Sequence, residues 1–196
     1  MKQLREHKVV ILGAGSPHSE KDDNATAPIS EAKNSIDWLL HSMVFLDPDL
    51  HFVSGYDDAA HLRLRFPKIS FWRNEEWAKT GSAWSLLQVP LAATAAKRDA
   101  NQYLTVVYTD IVFHEEAVRK LALDEADVVV AVDSKWRNRY VGRKLEDLWR
   151  CEKVCLTNGQ ITRLGADLDP DRASAEFVGL VQFGPAAIKI LVDIAT

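Results

Sequence analysis

Four successive apolar residues, Val9-Val10-Ile11-Leu12, are bounded by Gly13. A run with no polar member predicts a strand covered on both faces, as in a parallel sheet. The segment from Gly13 to Lys33 that follows is too polar to pack and too long for an idle connection, which marks it as a candidate binding loop. Ile36, Leu39, Leu40, Met43 and Val44 then recur at helical spacing, with Asn34 or Ser35 placed to cap the start. Apolar runs at residues 50–53, 69–72, 103–108 and 128–132 predict further strands, and residues 57–65, 82–96 and 115–125 suit helices between them.

Alternation of this kind predicts a βαβ series with right-handed crossovers. It changes after residue 153, where Asn158-Gly159 separates two short alternating runs as a two-residue hairpin turn requires. Residues 175–183 read as another strand, and residues 185–194 as a closing helix with Pro185 in its first turn. The expected fold is α/β: a Rossmann-like mixed, mostly parallel sheet flanked by helices, with a small antiparallel addition. With 196 residues, 47% of them hydrophobic, the whole chain is expected to form a single domain with a real core.

Charge narrows the partners. The 24 Lys and Arg lie interspersed with 28 Asp and Glu, so the chain offers no basic stripe to neutralise a phosphate backbone, and nucleic acid is not expected to bind. The apolar run near the N-terminus is too short for a signal peptide core or a membrane span, which points to a cytoplasmic protein without a membrane partner. The six histidines form no i,i+4 pair and no Cys/His set at ligand spacing, so no zinc site is expected and most are read as surface residues. Cys151 and Cys155 are read as small thiols on one face of a strand, a poor geometry for a disulfide.

Two features carry candidate chemistry. Leu12-Gly13-Ala14-Gly15-Ser16 follows a strand, so its glycines can let the backbone approach a phosphate and aim N–H groups at it; a simple tight turn is the alternative. A dinucleotide fingerprint would need glycine where His18 stands and an acid where Ser54-Gly55 stands, and the Gly-Lys-Ser/Thr of a P-loop is absent. Thr105-Val106-Val107-Tyr108-Thr109-Asp110 is an apolar strand ending in a carboxylate. Ligands of open parallel sheets bind beyond the carboxyl ends of the strands, so Asp110 is placed to hold a divalent cation on a triphosphate, with a capping role as the alternative. Gly13 and Gly15 are accordingly expected close to Asp110, lining the largest pocket. Asp133 ends the next strand, either as a site residue or as a turn residue beside Ser134. Asp47-Pro48-Asp49 and Asp169-Pro170-Asp171 read as turns.

These pieces in this order resemble the sugar-phosphate and choline-phosphate nucleotidyltransferases. Leu12-Gly13-Ala14-Gly15 is similar to that family's nucleotide loop, and Tyr108-Thr109-Asp110-Ile111 to its metal-binding strand end. Asn74-Glu75-Glu76-Trp77 with Thr80-Gly81-Ser82-Ala83-Trp84-Ser85-Leu86, and Asp133-Ser134-Lys135-Trp136 with Tyr140-Val141-Gly142-Arg143, resemble segments of the cytidylyltransferase branch. Ala175-Glu176-Phe177-Val178-Gly179 is similar to the strand whose Glu faces the acceptor. Pro17 and His18 depart from the family's loop.

The resemblance implies transfer of a nucleoside monophosphate, CTP being favoured as donor, to a phosphorylated or phosphonate acceptor such as phosphocholine or a sugar phosphate. Mg²⁺ is the implied cofactor and Asp110 its ligand. Leu12 to Ser16 and Ser82 would bind the nucleotide; Ser85, Asp133, Gly142 and Glu176 would border the acceptor. Lys21, the only Lys or Arg between Gly13 and Lys33, is the candidate for neutralising the leaving pyrophosphate. A homodimer is left open. The rival from another class is a nucleotide-binding or regulatory domain of the same fold without turnover, and an oxidoreductase of Rossmann type is a second, disfavoured by the missing fingerprint.

Overall fold

Because Val9 to Leu12 carry no polar side chain, β1 (Glu6–Gly13) tolerates cover on both faces, and it lies inside a parallel sheet. The computed structural model describes residues 5–15, 28–30, 33–91 and 101–195. The chain divides into two compact units, Met1–Val129 with Val181–Thr196, and Val130–Leu180.

In the first unit the polar loop region contributes a small antiparallel ribbon, β2 (Pro28–Ser30) and β3 (Lys33–Asn34). Asn34 caps α1 (Ser35–Met43), where the Asp37 carboxylate accepts from the Asn34 N–H at 3.0 Å. Ile36, Leu39 and Met43 are buried along one stripe of that helix, as the periodicity predicts. β4 (Asp49–Ser54), α2 (Ala60–Arg65), β5 (Ser70–Arg73), α3 (Ser82–Leu86), β6 (Gln102–Tyr108) and α4 (Glu115–Leu123) follow. β1 pairs in parallel with β4 on one side and β6 on the other, and β4 pairs in parallel with β5. Val10, Leu12, Val53, Leu104 and Val106 share a core with Leu86 of α3 and with Ile188, which lies on the closing helix.

β7 (Val128–Asp133) leads into the second unit, where a 3-10 turn, Trp136–Tyr140, precedes α5 (Leu145–Arg150). β8 (Lys153–Thr157) and β9 (Gln160–Gly165) form the anticipated hairpin, its tip carried by Asn158 at φ 53° and Gly159 at φ 78°. β10 (Ala175–Phe183) pairs antiparallel with β8, and α6 (Pro185–Ala195) closes the chain. The fold is therefore α/β, an open and mostly parallel sheet flanked by helices with an antiparallel addition.

Two local expectations are corrected. The helix expected over residues 82–96 ends at Leu86: turns follow, and Pro90, which lacks an N–H, disfavours helical backbone at the residue before it; residues 92–100 lie outside the described set. Cys151 is not on a strand with Cys155, because β8 begins only at Lys153.

Of the five described histidines, His41, His61 and His114 are exposed, as expected of most, whereas His7 and His51 are buried. His51 Nδ1 accepts from the Trp72 indole N–H at 2.9 Å, while Nε2 lies 2.9 Å from Asp49 Oδ2 and 3.0 Å from Lys8 Nζ. An indole only donates, so Nδ1 carries the lone pair and the neutral ring donates from Nε2 to Asp49. Burial holds the His51 pKa below its usual value of 6.5 despite the opposing Asp49 contact, and burial with the neighbouring Arg5 does the same for His7. Both rings thus protonate more readily in the unfolded chain. Stability should be insensitive to this pair above neutral pH and fall as pH drops below about 6.5. Melting temperatures from pH 8 to 5 test this; a flat profile would refute it.

Candidate functional site

Strand register brings the sequence-predicted residues of the first unit to one edge. Gly13 stands level with Ser54, Ser54 with Arg73, and Leu12 with Tyr108. Thr109 is therefore the next residue beside Gly13, and its N–H donates to the Leu12 carbonyl at 3.2 Å. Asp110 is exposed one step beyond, past the carboxyl end of β6. The separation of Gly13 and Asp110 along the chain is large, so their proximity is a property of the fold.

The glycines of this edge are needed for different reasons. A Cβ on Gly13 would lie 2.5 Å from Cζ of Phe52 and 3.1 Å from Cγ2 of Thr109, whereas a Cβ on Gly15 would meet nothing within 4 Å. Nothing in the sequence singles out Gly55 as a site residue, yet a Cβ there would lie 2.7 Å from the Ala14 carbonyl oxygen and 2.6 Å from Cβ of Trp77. The Tyr56 N–H also donates to that carbonyl at 3.3 Å. The end of β4 thus supports the backbone of the glycine loop directly. Gly55→Ala should cost roughly 1–3 kcal/mol, because the clash is with backbone that cannot rotate away. Gly15→Ala should leave stability near wild type. Equal thermal melts for the two variants would contradict this contact.

Asn74, just after β5, organises the rest of the edge. Its buried amide donates to Thr80 Oγ1 and Ser85 Oγ, both at 2.9 Å, and accepts from the Glu76 N–H at 3.0 Å. Its own N–H donates to the Ser54 carbonyl at 2.8 Å. Ser85 is thereby buried and engaged by Asn74. Ser82 is exposed, and its Oγ receives the Tyr108 hydroxyl at 3.0 Å, which sets it beside the end of β6. Ser16 and Lys21 lie outside the described residues.

No group of three or more metal-binding side chains occurs among the described residues. Magnesium is commonly held through one or two carboxylates, with substrate phosphates and water completing its shell. Asp110, exposed beside the glycine loop, suits that mode.

In the second unit Asp133 accepts from the Lys135 N–H at 2.8 Å through Oδ1, the turn role, while Oδ2 takes Arg139 Nε at 3.0 Å. Arg139 also reaches Glu176 Oε2, and the Tyr140 hydroxyl donates to Glu176 Oε1 at 2.8 Å. Burial, reinforced by the Glu176 charge, raises the Tyr140 pKa, so the phenol remains a donor. Burial likewise pushes the Cys151 thiol up, although Tyr140 partly opposes it. Two predicted residues, Asp133 and Glu176, are therefore joined by one that sequence reasoning misses, Arg139. Its only sequence signal is an arginine between two aromatic residues, Trp136 and Tyr140. Gly142 takes φ +80°, and a Cβ there would meet nothing within 4 Å.

A cavity of about 560 Å³ is lined by neither Gly13 nor Gly15; it lies at the amino-terminal ends of β4 and β5. No helix among the described residues is long and apolar enough to cross a membrane.

No protein-family model matches the chain. A CTP:phosphoglutamine cytidylyltransferase of Campylobacter jejuni is 30% identical over 86 residues, which is 43% of this chain and 34% of that relative. The chain thus spans about a third of the curated relative it matches. Among solved structures, the inositol-1-phosphate CTP transferase from T. maritima aligns with a TM-score of 0.65 at 15% identity, over 97% of this chain and 75% of that one. A protein from Bacillus anthracis described as a glucose-1-phosphate thymidylyltransferase, solved with a sucrose, gives 0.66 at 15% identity, over 96% and 74%. The motif-based resemblance is borne out to this extent: the chain has the fold of the sugar-phosphate nucleotidyltransferases, with a sequence likeness over part of its length to a cytidylyltransferase.

Proposed function

We propose that this chain is a nucleotidyltransferase, taking CTP as donor and a small phosphorylated molecule as acceptor. The observation that carries the reading is the alignment of Gly13, Ser54 and Thr109-Asp110 at the carboxyl ends of adjacent parallel strands. The similarity to a CTP-using relative supports the base.

An acceptor phosphate oxygen attacks the α-phosphorus of the triphosphate. The new P–O bond forms as the bond to the bridging oxygen breaks, and pyrophosphate departs with the electron pair. Such chemistry asks for positioning and charge stabilisation rather than a protein nucleophile. Backbone N–H groups of the loop starting at Gly13 hold phosphate, Ser82 borders the nucleotide, and Gly55 with Asn74 keep the loop and the segment to Ser85 in place. Asp110 would hold Mg²⁺, which supplies charge neutralisation on the phosphates. Glu176, oriented by Arg139 and Tyr140, is assigned to the acceptor together with Asp133 and Gly142, all three in the chain's second unit.

Pyrophosphate release should be measured with CTP and Mg²⁺ against phosphocholine, phosphoglutamine, inositol 1-phosphate and glucose 1-phosphate. Turnover with at least one acceptor is expected. Saturable CTP binding with no turnover on any of them would favour a binding domain that lacks the chemistry, and absence of CTP binding would overturn both readings.

A further inference from the structure

The carboxyl edge of the sheet carries an aromatic side chain to which the proposed reaction gives no task. Tyr56 stands two residues past the end of β4 at Ser54, and it is 52% exposed. An exposed ring is common by itself; this one is held in place from two directions. Its N–H donates to the Ala14 carbonyl at 3.3 Å, which ties the residue to the glycine loop. Its ring meets the Trp77 indole in a T-shaped contact, with centroids 5.4 Å apart and planes at 80°.

Trp77 is fixed in turn. The point that a Gly55 Cβ would occupy is 2.6 Å from Cβ of Trp77 and 2.9 Å from Cβ of Ala14, so the indole stem and the glycine loop crowd one place. The Trp77 N–H donates to the Asn74 carbonyl at 3.3 Å, inside the turn that the Asn74 amide organises. A T-shaped contact occupies at most one face of the tyrosine, so Trp77 leaves the other face uncovered. The result is a ring braced from behind and anchored to the loop that is assigned to the nucleotide.

Sheet order decides which part of the nucleotide it meets. β4 and β6 pair with β1 on opposite sides, so Tyr56 follows the strand on one side of Gly13 and Asp110 follows the strand on the other. The metal end of a bound triphosphate is assigned to the Asp110 side, which leaves the β4 side for the nucleoside. Of the parts of a nucleoside triphosphate, only the base has a π face to offer a ring. The residues assigned to the acceptor, by contrast, belong to the second unit.

We propose that Tyr56, braced by Trp77, is the stacking surface for the base of the donor nucleotide. The assignment rests on the nucleotidyltransferase reading and deepens it: Tyr56 supplies affinity for the nucleoside, while the loop and Asp110 hold the phosphates and their metal.

Isothermal titration of the full chain with CTP and Mg²⁺ tests the contact. Tyr56→Ala should weaken CTP about tenfold, the scale on which base stacking is lost when its aromatic partner is cut to alanine. Tyr56→Phe keeps the face and should bind within about twofold of native, whereas Tyr56→Leu fills the space against Trp77 without a π face and should resemble the alanine variant. Inorganic tripolyphosphate with Mg²⁺ has no base, so its binding should be the same in the native chain and in Tyr56→Ala. Native CTP affinity in the alanine variant, or a leucine variant that binds as well as the phenylalanine one, would overturn the assignment and leave the nucleotidyltransferase reading in place. Equal losses for CTP and tripolyphosphate would also overturn it, by showing a disturbed loop instead of a lost stack. A native chain that binds no CTP removes the reading and the assignment together. Should the alanine variant melt early, the leucine and phenylalanine variants, which retain bulk against Trp77, carry the same comparison.

Discussion

Asp110→Asn is expected to fold as the native chain does and to lose pyrophosphate release by on the order of 100-fold or more, the scale on which a single lost electrostatic contact to a transition state is felt. The substitution keeps the side chain's size and removes the charge that a hard cation prefers among its oxygen ligands. Asp110 lies outside β6 and is exposed, so its charge is not part of a core that the exchange could disturb. If the residue merely caps the turn after the strand, asparagine serves nearly as well, and both stability and turnover survive. Melting temperature and pyrophosphate release on one preparation separate the two roles; an Asn variant with native turnover removes Asp110 from the site. The comparison requires an acceptor that the native chain uses, so it follows the acceptor panel rather than replacing it.

Lys153→Met is expected to cost about 3 kcal/mol and to lower the melting temperature by roughly 6–12 °C. The side chain is fully buried, and its ammonium donates to the carbonyls of Trp149 and Cys151 at 2.9 Å each and of Leu148 at 3.5 Å. These carbonyls lie at and just beyond the end of α5, where helical backbone leaves acceptors without partners. Methionine fills a similar volume but leaves the three part-buried carbonyls without this donor. On β8, Lys153 is the cross-strand partner of Glu176 on β10, so the same residue that closes the helix also holds the strand beneath the Glu176, Arg139 and Tyr140 cluster. Limited proteolysis should accordingly find new cleavage between residues 140 and 155 in the variant. A melt within about 1 °C of native would show that these carbonyls find other donors, and the ammonium would then be dispensable to the fold.

The elements legible in the sequence are those whose cause is local. An unbroken run from Val9 to Leu12 requires cover on both faces, and all four residues are buried in β1. The Asn34 cap and the Ile36, Leu39, Met43 stripe depend on residues within two turns of one another, and α1 is where they place it. Asn158-Gly159 accepts positive φ with little strain, and the β8–β9 hairpin turns there. Even the nearness of Gly13 to Asp110 follows from a local rule, since parallel strands of similar length bring their carboxyl ends to one edge.

What the tertiary structure decided are the partners of polar and small residues. Nothing within a few residues of His51 tells that Trp72, from the neighbouring strand, donates to its ring and buries it. Gly55 carries no special backbone angle; it must be glycine because the Ala14 carbonyl, about forty residues earlier in the chain, passes within 2.7 Å of where a Cβ would stand. Arg139 acquires its place only when Asp133 and Glu176, ends of different strands, close on it from two sides. Periodicity reports which face of an element is apolar, because burial of a face is an average over many contacts. A hydrogen bond or a steric limit is a single contact between two atoms, and its partner is set only when strands distant in sequence come into register.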